Sequence, residues 1–369
     1  MMAHIVALPG DGIGPEVTDA ALEALAVVAR CYGHSFHVVE ALIGGAAIDT
    51  TGQPLPNETM AMCSAADAVL FGAVGGPQWD DPAAQVRPEQ GLLGLRAALG
   101  LFANVRPVRP YVPAASPLRP ERLAGVDLVF VRELTGGIYF GAKRRTSDSG
   151  VDTATDECTY TATEVERVVR TAAILAAKRR GKITSVDKAN VLETSRLWRA
   201  VTTRVIETEF PQLMLEHLLV DSCAMQLLTR AAEFDVIVTE NLFGDVLTDE
   251  AAVLAGSIGL LPSASLGAPR SDGRLLGLYE PIHGSAPQLA GQDVANPLGA
   301  ILSAAMLLRH SLALETEART IEHAVDAALL DGYATADLAP PGRKPARMSD
   351  VTAAVLARIE QAAEMTAAP

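Results

Sequence analysis

Short apolar runs alternate with amphipathic segments along this chain, which is the pattern of alternating strands and helices. The first apolar run, residues 4–8, predicts a buried strand, and a glycine-rich turn follows it. A helix is predicted next, because Pro15 suits a first turn, apolar residues then recur with the helical period, and Gly33 suits the end. Further strands are predicted at 68–71, 126–131 and 234–239, and further helices at 163–177 and 195–207. This order predicts an α/β protein.

Two segments and the tail depart from the alternation. Residues 143–159 are polar, rich in Thr and Asp and without a period, so they predict an excursion from the core, either a solvated loop or a clasp between subunits. Residues 300–308 are apolar but too short to span a bilayer, so they predict a buried helix. The tail after Asp337 is rich in Pro and Ala and predicts one more short helix.

Composition narrows the class of protein. A length of 369 residues leaves room for two domains. The net charge of −14 argues against a nucleic-acid partner, because phosphates would be repelled. Four cysteines without a short ligand spacing predict reduced thiols in a cytoplasmic protein, and the first residues lack the basic region and apolar run of a signal peptide. We therefore expect a soluble protein without a membrane partner.

Asp245 and Asp249 carry the strongest chemical signal. They follow the predicted strand 234–239 in a segment that continues as a helix, so a spacing of four places both carboxylates on one helical face, roughly 5–6 Å apart. Asp221 follows another predicted strand, 216–220, and strand ends are where α/β sheets hold ligands. Three carboxylates without Cys or His predict Mg²⁺ or Mn²⁺. The alternative is that the paired acids only favour a helix N-terminus.

The glycines at 10, 12 and 14 alternate, which is not the spacing of the Rossmann dinucleotide fingerprint. They predict instead a tight turn between strand and helix with a close backbone approach. A second glycine-containing stretch, 279–291, is followed by Asn296. Its Gly284, Ser285 and Ala286 leave backbone N–H groups open to a phosphate or a nucleotide, although a buried structural loop has the same composition.

Three arginines, Arg96, Arg106 and Arg132, predict a substrate with two carboxylates, because a guanidinium binds a carboxylate through two parallel hydrogen bonds. For any one of them a surface ion pair is the commoner role. Near a metal, Tyr139 can donate a proton or can simply cover the core. Lys188, at the end of a predicted strand, can act as a base or remain solvated.

Four motifs together resemble the isocitrate/isopropylmalate dehydrogenase family of metal-dependent β-decarboxylating dehydrogenases. Residues 241–249 (Asn-Leu-Phe-Gly-Asp-Val-Leu-Thr-Asp) and 185–192 (Ser-Val-Asp-Lys-Ala-Asn-Val-Leu) mark the superfamily. Residues 132–141 mark the isopropylmalate branch, and residues 89–96 match the segment that holds the isopropyl group in that branch. The resemblance extends over nearly the whole chain, from residue 10 to about residue 338.

The resemblance implies a two-domain α/β fold that is not a Rossmann fold. One domain is discontinuous (1–103 with 256–369) and carries most of the nucleotide site; the other (104–255) carries the metal site, the arm segment and the interface of a homodimer with shared active sites. The implied activity is oxidative decarboxylation of 3-isopropylmalate to 4-methyl-2-oxopentanoate and CO₂ with NAD, in leucine biosynthesis. The alternative within the family is another 3-substituted malate as substrate.

The resemblance also assigns residues to roles. The catalytic pair is Tyr139 and Lys188, and the metal ligands are Asp245, Asp249 and Asp221, the last from the neighbouring subunit. The implied substrate contacts are Glu89, Leu92, Leu93, Arg96, Arg106, Arg132, Val191 and Asp221. The implied NAD contacts lie in 76–89 and 280–296, and include Gly76, Glu89, Glu280, His283, Gly284, Ser285, Ala286, Pro287, Gln288, Leu289, Ala290, Gly291 and Asn296.

Gln288 departs from the family pattern, in which NAD-using relatives usually carry aspartate and NADP-using relatives usually carry lysine at this position. We expect NAD to remain preferred, with weaker discrimination. Two other classes stay open. A metal-dependent aldolase or hydrolase could use the carboxylates but would not need the nucleotide loop. A catalytically silent regulatory subunit could keep the fold, although such subunits tend to lose site residues that are present here.

Overall fold

The structure is a computed structural model that describes residues 1–79, 81, 84–270, 273–340 and 342–367. The strands of this part are β1 (Met2–Gly10), β2 (Ser35–Glu40), β3 (Ala68–Ala73), β4 (Ala103–Val108), β5 (Leu128–Glu133), β6 (Lys143–Asp148), β7 (Val151–Asp156), β8 (Lys182–Asp187), β9 (Met214–Leu219), β10 (Val236–Thr239), β11 (Pro262–Pro269) and β12 (Leu275–Pro281).

The helices of the same part are α1 (Gly14–Tyr32), α2 (Gly44–Thr51), α3 (Asn57–Ala65), α4 (Pro88–Ala98), α5 (Pro120–Leu123), α6 (Ala162–Ala177), α7 (Glu193–Glu209), α8 (Val220–Arg230), α9 (Asn241–Ala255), α10 (Leu298–His310), α11 (Glu315–Leu330) and α12 (Met348–Ala367). The alternation of strands and helices confirms the α/β class. The tail helix α12 has 20 residues, so the expectation of a short helix was wrong.

The chain divides into two compact units: unit 1 is Met1–Leu101, Pro110–Pro117 and Ala255–Pro369, and unit 2 is Phe102–Arg109 and Leu118–Leu254. The domain bounds implied by the sequence put residues 110–117 in the other domain. They belong to unit 1 because they pack on Gly256, where an added Cβ would lie 3.0 Å from the Cβ of Ala115. Nothing in the composition of 110–117 signals that contact.

Unit 1 has strands in the order β2-β1-β3-β12-β11, of which only β11 and β12 pair antiparallel. Helix α1 ends at Tyr32 and is capped by Gly33, whose left-handed conformation (φ 68°) suits glycine and whose N–H donates to the Ala29 carbonyl oxygen. Helix α10 contacts α1, α11 and β12, and its residues 298–308 are all buried, which confirms the predicted buried helix. An apolar helix of this kind forms because it is surrounded on every face.

Unit 2 has strands in the order β4-β5-β10-β8-β9, parallel except for the β4–β5 pair. Helices α6 and α7 bury a cluster that includes Trp198, Val168 and Val205 against β5, β8 and β10. The capping box of Thr161 and Glu164 begins α6. The carboxyl ends of the parallel strands therefore meet at one edge, where the residues of interest lie.

Residues 143–156 form an antiparallel hairpin of β6 and β7, a structure that the sequence analysis did not predict. The turn has Ser149 and Gly150 at positive φ (51° and 81°), which matches the twist that favours tight hairpins. Both faces of the hairpin are almost wholly exposed, so there is no buried face to impose an alternating apolar pattern. The missing period therefore reflects exposure and not the absence of strands.

Candidate active site

Asp245 and Asp249 lie one turn apart on α9, which begins directly after β10 and Glu240. The predicted strand, helix and common helical face are confirmed. Burial raises the pKa of Asp245, but Arg132 and Tyr139 outweigh it, and the net shift is downward. Partial burial raises the pKa of Asp249, and the nearby charge of Asp245 adds to the rise.

Arg132, near the end of β5, is 3% exposed and is held on two sides. Its Nη1 donates to Asp245, while its Nε and Nη2 both donate to Oδ1 of Asn241 at 3.0 and 2.8 Å. Gly244 permits this approach, because a Cβ there would lie 2.6 Å from Cγ of Arg132. Arg132 therefore presents a guanidinium of defined orientation beside the carboxylate.

Tyr139 lies in a short 3-10 turn, Gly137–Tyr139, and its hydroxyl donates to Oδ2 of Asp245 at 2.7 Å. Burial and the hydrogen bond to the Asp245 carboxylate raise the pKa of Tyr139 to about 12. Gly136 and Gly137 are required here, because added Cβ atoms would contact the Tyr160 ring. The phenol is therefore protonated at neutral pH and is placed to donate.

Arg106, on β4, is buried and joins the same cluster. Its Nε donates to Asn104 at 2.5 Å, and its Nη1 donates to the Thr248 hydroxyl at 2.6 Å. Its positive charge opposes the upward pKa shift of Asp249. Two of the three predicted arginines thus lie around the α9 carboxylates, in unit 2.

Lys188 and Asp221 form a separate pair, with Nζ of Lys188 2.5 Å from Oδ1 of Asp221. The hydrogen bond from Lys188 lowers the pKa of Asp221. The strand β9 ends at Leu219, so Asp221 lies in the first turn of α8 and not at the strand end as predicted. Val191 follows and is 62% exposed. Among the described residues no three His, Cys, Asp or Glu side chains converge on one point, so Asp221 does not join Asp245 and Asp249 within one chain.

Arg96 lies in unit 1, on α4, where it is buried and donates to Oε1 of Glu280 at 2.5 Å. On the same helix, Leu92 and Leu93 are half-buried and Glu89 is exposed. The expected nucleotide contacts at 76–89 include Asp80, Pro82 and Ala83, which lie outside the described residues. Gly76 and Glu89 themselves are described.

The stretch after β12 is a loop held by unit 1. Ser285 is buried and its carbonyl oxygen accepts from the Ile13 N–H at 2.8 Å, so the close backbone approach predicted for the 10–14 turn is confirmed. Ala286 has φ 35°, and Pro287–Leu289 form a 3-10 turn on which Gln288 is exposed. Residues 284, 287, 288 and 291 of this loop are exposed, whereas 286, 289 and 290 are half-buried.

The remaining residues at this loop are engaged within the protein. Nδ1 of His283 lies 2.9 Å from the Gly284 carbonyl oxygen, and burial lowers the pKa of His283. Nδ2 of Asn296 donates to Asp337 at 2.9 Å, and its Oδ1 accepts from the Leu298 N–H at 3.0 Å, at the start of α10.

Neither Asn241 nor Asp11 is among the site residues that the sequence predicts, although Asn241 begins the motif 241–249 and Asp11 lies between the glycines at 10 and 12. Asn241 orients Arg132, and its Nδ2 also donates to the Gly136 carbonyl at 3.3 Å, next to the turn that carries Tyr139. Asp11 accepts three backbone hydrogen bonds, two from the start of α2 and one from the loop after β3. A polar residue inside a glycine-rich turn was the available signal for Asp11.

Comparisons with known proteins place this arrangement in a family. The family model described as isocitrate/isopropylmalate dehydrogenase matches residues 4–355. The 3-isopropylmalate dehydrogenase of Anaeromyxobacter dehalogenans is 59% identical over 341 residues, covering 92% of this chain and 95% of that protein. The 3-isopropylmalate dehydrogenase of Halalkalibacterium halodurans is 53% identical over 369 residues, covering 99% and 100%.

Solved structures show the same fold. The isocitrate dehydrogenase of Methylococcus capsulatus has a TM-score of 0.86 at 34% identity, covering 98% of this chain and 100% of that chain. A β-decarboxylating dehydrogenase of Thermococcus kodakarensis has a TM-score of 0.79 at 35% identity, covering 99% and 98%. Within the described residues, no helix has the length and apolar character needed to cross a membrane.

Proposed function

This chain belongs to the isocitrate/isopropylmalate dehydrogenase family, and we propose that it is an NAD-dependent 3-isopropylmalate dehydrogenase of leucine biosynthesis. The reaction is the oxidative decarboxylation of 3-isopropylmalate to 4-methyl-2-oxopentanoate and CO₂. The observation that carries the proposal is the cluster of Arg132, Tyr139 and Asp245, which combines a cation able to bind a carboxylate, a protonated acid and a carboxylate able to bind a metal.

The α9 carboxylates fit a hard divalent cation. Asp245 and Asp249 offer oxygen ligands from one helical face, and their mutual repulsion is relieved when a cation binds. We assign Mg²⁺ or Mn²⁺ to them, together with Asp221 of a second copy of the chain. When bound, the metal supplies Lewis-acid stabilisation of negative charge on the substrate oxygen.

The arginines and the leucines are assigned to different parts of the substrate. We assign the two carboxylates of the substrate to Arg96, Arg106 and Arg132, and the isopropyl group to Leu92 and Leu93 with Val191. Glu89 lies on the same helix as the leucines. Three buried carbons then favour isopropylmalate over malate by roughly 2.4 kcal/mol, or about fiftyfold. Isocitrate would additionally desolvate a third carboxylate in an apolar pocket.

Two side chains move protons. We assign removal of the C2 hydroxyl proton to Nζ of Lys188, which belongs to the same chain as the third metal ligand, Asp221. Tyr139 is held protonated by burial and by the Asp245 carboxylate, so its hydroxyl can deliver a proton to the carbon from which CO₂ departs. We assign to Arg132, which Asn241 orients, the positioning of a substrate carboxylate relative to Lys188 and Tyr139.

We assign NAD to the loop 284–291, with Gly76, Glu89, Glu280, His283 and Asn296 around it. NAD accepts the hydride when it is bound. The exposed Gln288 offers a neutral amide that can hydrogen-bond to the ribose hydroxyls of the nucleotide. We also propose that the enzyme works as a homodimer in the cytoplasm, a location with which its four unpaired cysteines agree.

The test is turnover of the purified protein with 3-isopropylmalate, NAD and Mg²⁺, followed by NADH absorbance. Malate, isocitrate and a series of 3-alkylmalates serve as competing substrates. We expect 3-isopropylmalate to have the highest kcat/KM. A higher kcat/KM for another 3-substituted malate would make that compound the preferred substrate and would overturn the assignment of 3-isopropylmalate. Metal-dependent consumption of substrate without formation of NADH would favour an aldolase or hydrolase.

A further inference from the structure

The turn between β1 and α1 contains a buried carboxylate that the proposed chemistry does not use. Asp11 is 6% exposed. Its Oδ2 accepts from the N–H groups of Gly45 and Gly75, both at 2.8 Å, and its Oδ1 accepts from the Ala46 N–H at 2.7 Å. One side chain thus joins the 10–14 turn to the start of α2 and to the loop after β3.

The same turn contacts the loop 284–291. The Ile13 N–H donates to the Ser285 carbonyl oxygen at 2.8 Å, and a Cβ on Gly12 would collide with that carbonyl. Further along, the backbone of Gly291 lies near the Glu16 carboxylate, in the first turn of α1, and opposes the upward pKa shift that burial gives Glu16. Every one of these contacts lies within unit 1.

The turn is not built to hold a phosphate directly. Its N–H groups at 11, 13 and 14 already donate to Ala73, Ser285 and Asp11 carbonyl oxygens, at 2.7, 2.8 and 2.9 Å. A phosphate would also meet the negative charge of Asp11. The glycines at 10 and 12 have φ of 73° and 59°, which other residues rarely adopt, so the turn is shaped for contact with the protein.

We propose that Asp11 is a positioning residue of the nucleotide site. Its carboxylate holds the 10–14 turn in the conformation that places Gly12 and Ile13 against Ser285. Because the turn contacts Ser285, it fixes the shape of the loop 284–291 before NAD binds. A preformed loop binds more tightly because the ordering cost is met before the ligand arrives. This inference rests on the proposed assignment of NAD to that loop.

The test compares Asp11→Asn and Asp11→Ala with wild type. The amide of Asp11→Asn keeps an oxygen toward Gly45 and Gly75 but directs an N–H group at the Ala46 N–H, so one bond of the three is lost. Asp11→Ala loses all three. The matched control is Asp235→Asn in unit 2, where a carboxylate that is also buried accepts from the backbone N–H groups of Arg180 and Lys182 at 2.9 and 3.2 Å.

We expect the KM and Kd for NAD to rise about fivefold in Asp11→Asn, the effect of one lost hydrogen bond, and about tenfold or more in Asp11→Ala. The kcat and the KM for 3-isopropylmalate should change little. Hydrogen exchange should accelerate at residues 284–291 in the ligand-free variants. Asp235→Asn should lower the melting temperature without either change.

Unchanged NAD binding and unchanged exchange at 284–291 in folded Asp11→Asn would overturn the proposal. If Asp11→Ala does not fold, Asp11→Asn alone decides. Failure of the proposed function is distinguishable, because wild type would then show no NAD-dependent turnover, whereas the hydrogen-exchange comparison of ligand-free proteins still reports whether Asp11 controls the loop.

Discussion

Replacing Glu240 by glutamine should make the free energy of unfolding less dependent on pH between pH 5 and pH 8. Glu240 follows β10 directly and is 5% exposed. In the register of the sheet, β10 lies between β5 and β8, whose last residues are Glu133 and Asp187. Three carboxyl groups therefore lie side by side at the ends of three parallel strands.

The two outer carboxylates have partners that stabilise a negative charge. Glu133 accepts from the N–H and hydroxyl of Thr135 at 2.9 and 2.7 Å and from the Gly136 N–H at 2.8 Å. Burial outweighs these bonds, so the pKa of Glu133 is also raised. Asp187 accepts two hydrogen bonds from Arg199, both at 2.8 Å. Glu240 lies between these acids, and burial together with the charges of Asp187 and Glu133 raises its pKa from 4.5 to about 7.

The sign and size of the effect follow from proton binding. Between about pH 4.5 and pH 7 the folded protein keeps a proton on Glu240 that the unfolded chain has released, so the free energy of unfolding falls as the pH rises. The shift is worth about 3 kcal/mol when complete. Glutamine resembles the protonated acid and cannot ionise. The stability of Glu240→Gln relative to wild type should therefore rise by about 2–3 kcal/mol between pH 5 and pH 8.

Urea unfolding of wild type and Glu240→Gln at four pH values from 5 to 8 measures this difference. Glu207→Gln is the control, because it removes the same charge from an exposed position on α7. Its difference from wild type should not grow with pH. Parallel pH profiles for wild type and Glu240→Gln would refute the reasoning, because they would mean that Glu240 ionises equally in the folded and unfolded states.

The site assignments make three further predictions. Asp245→Ala should lower kcat by about 10²–10³ with the circular dichroism spectrum unchanged, because a metal ligand and the partner of Tyr139 are lost; full activity at saturating Mg²⁺ would contradict the metal assignment. If Lys188 acts in the site of a second chain, mixing inactive Lys188→Ala with inactive Arg132→Ala should restore activity, and no recovery after subunit exchange verified by mass would count against a shared site. Gln288→Asp should raise the NAD/NADP ratio of kcat/KM about tenfold through about 1–2 kcal/mol of hydrogen bonding and repulsion, and an unchanged ratio would remove position 288 from the ribose site.

Features that depend on neighbours along the chain could be predicted from the sequence. The spacing of Asp245 and Asp249 sets their common face once α9 forms, and the apolar runs specify β10 and α10, because both depend on local periodicity. Whole motifs identify the family for the same reason: they are contiguous stretches whose residue order is directly visible. The α/β class, the family and the expected site residues can therefore be predicted from local sequence patterns.

Only the tertiary structure decided which distant groups meet. Asp11 accepts from Gly75, 64 positions away, and Arg132 donates to Asn241, 109 positions away, and no local pattern announces either bond. The hairpin 143–156 escaped detection because it has no buried face, and residues 110–117 were misassigned because their packing on Gly256 is a long-range contact. The raised pKa of Glu240 likewise exists only when β5, β10 and β8 are in register, because burial and charge proximity are properties of the packed sheet and not of the chain.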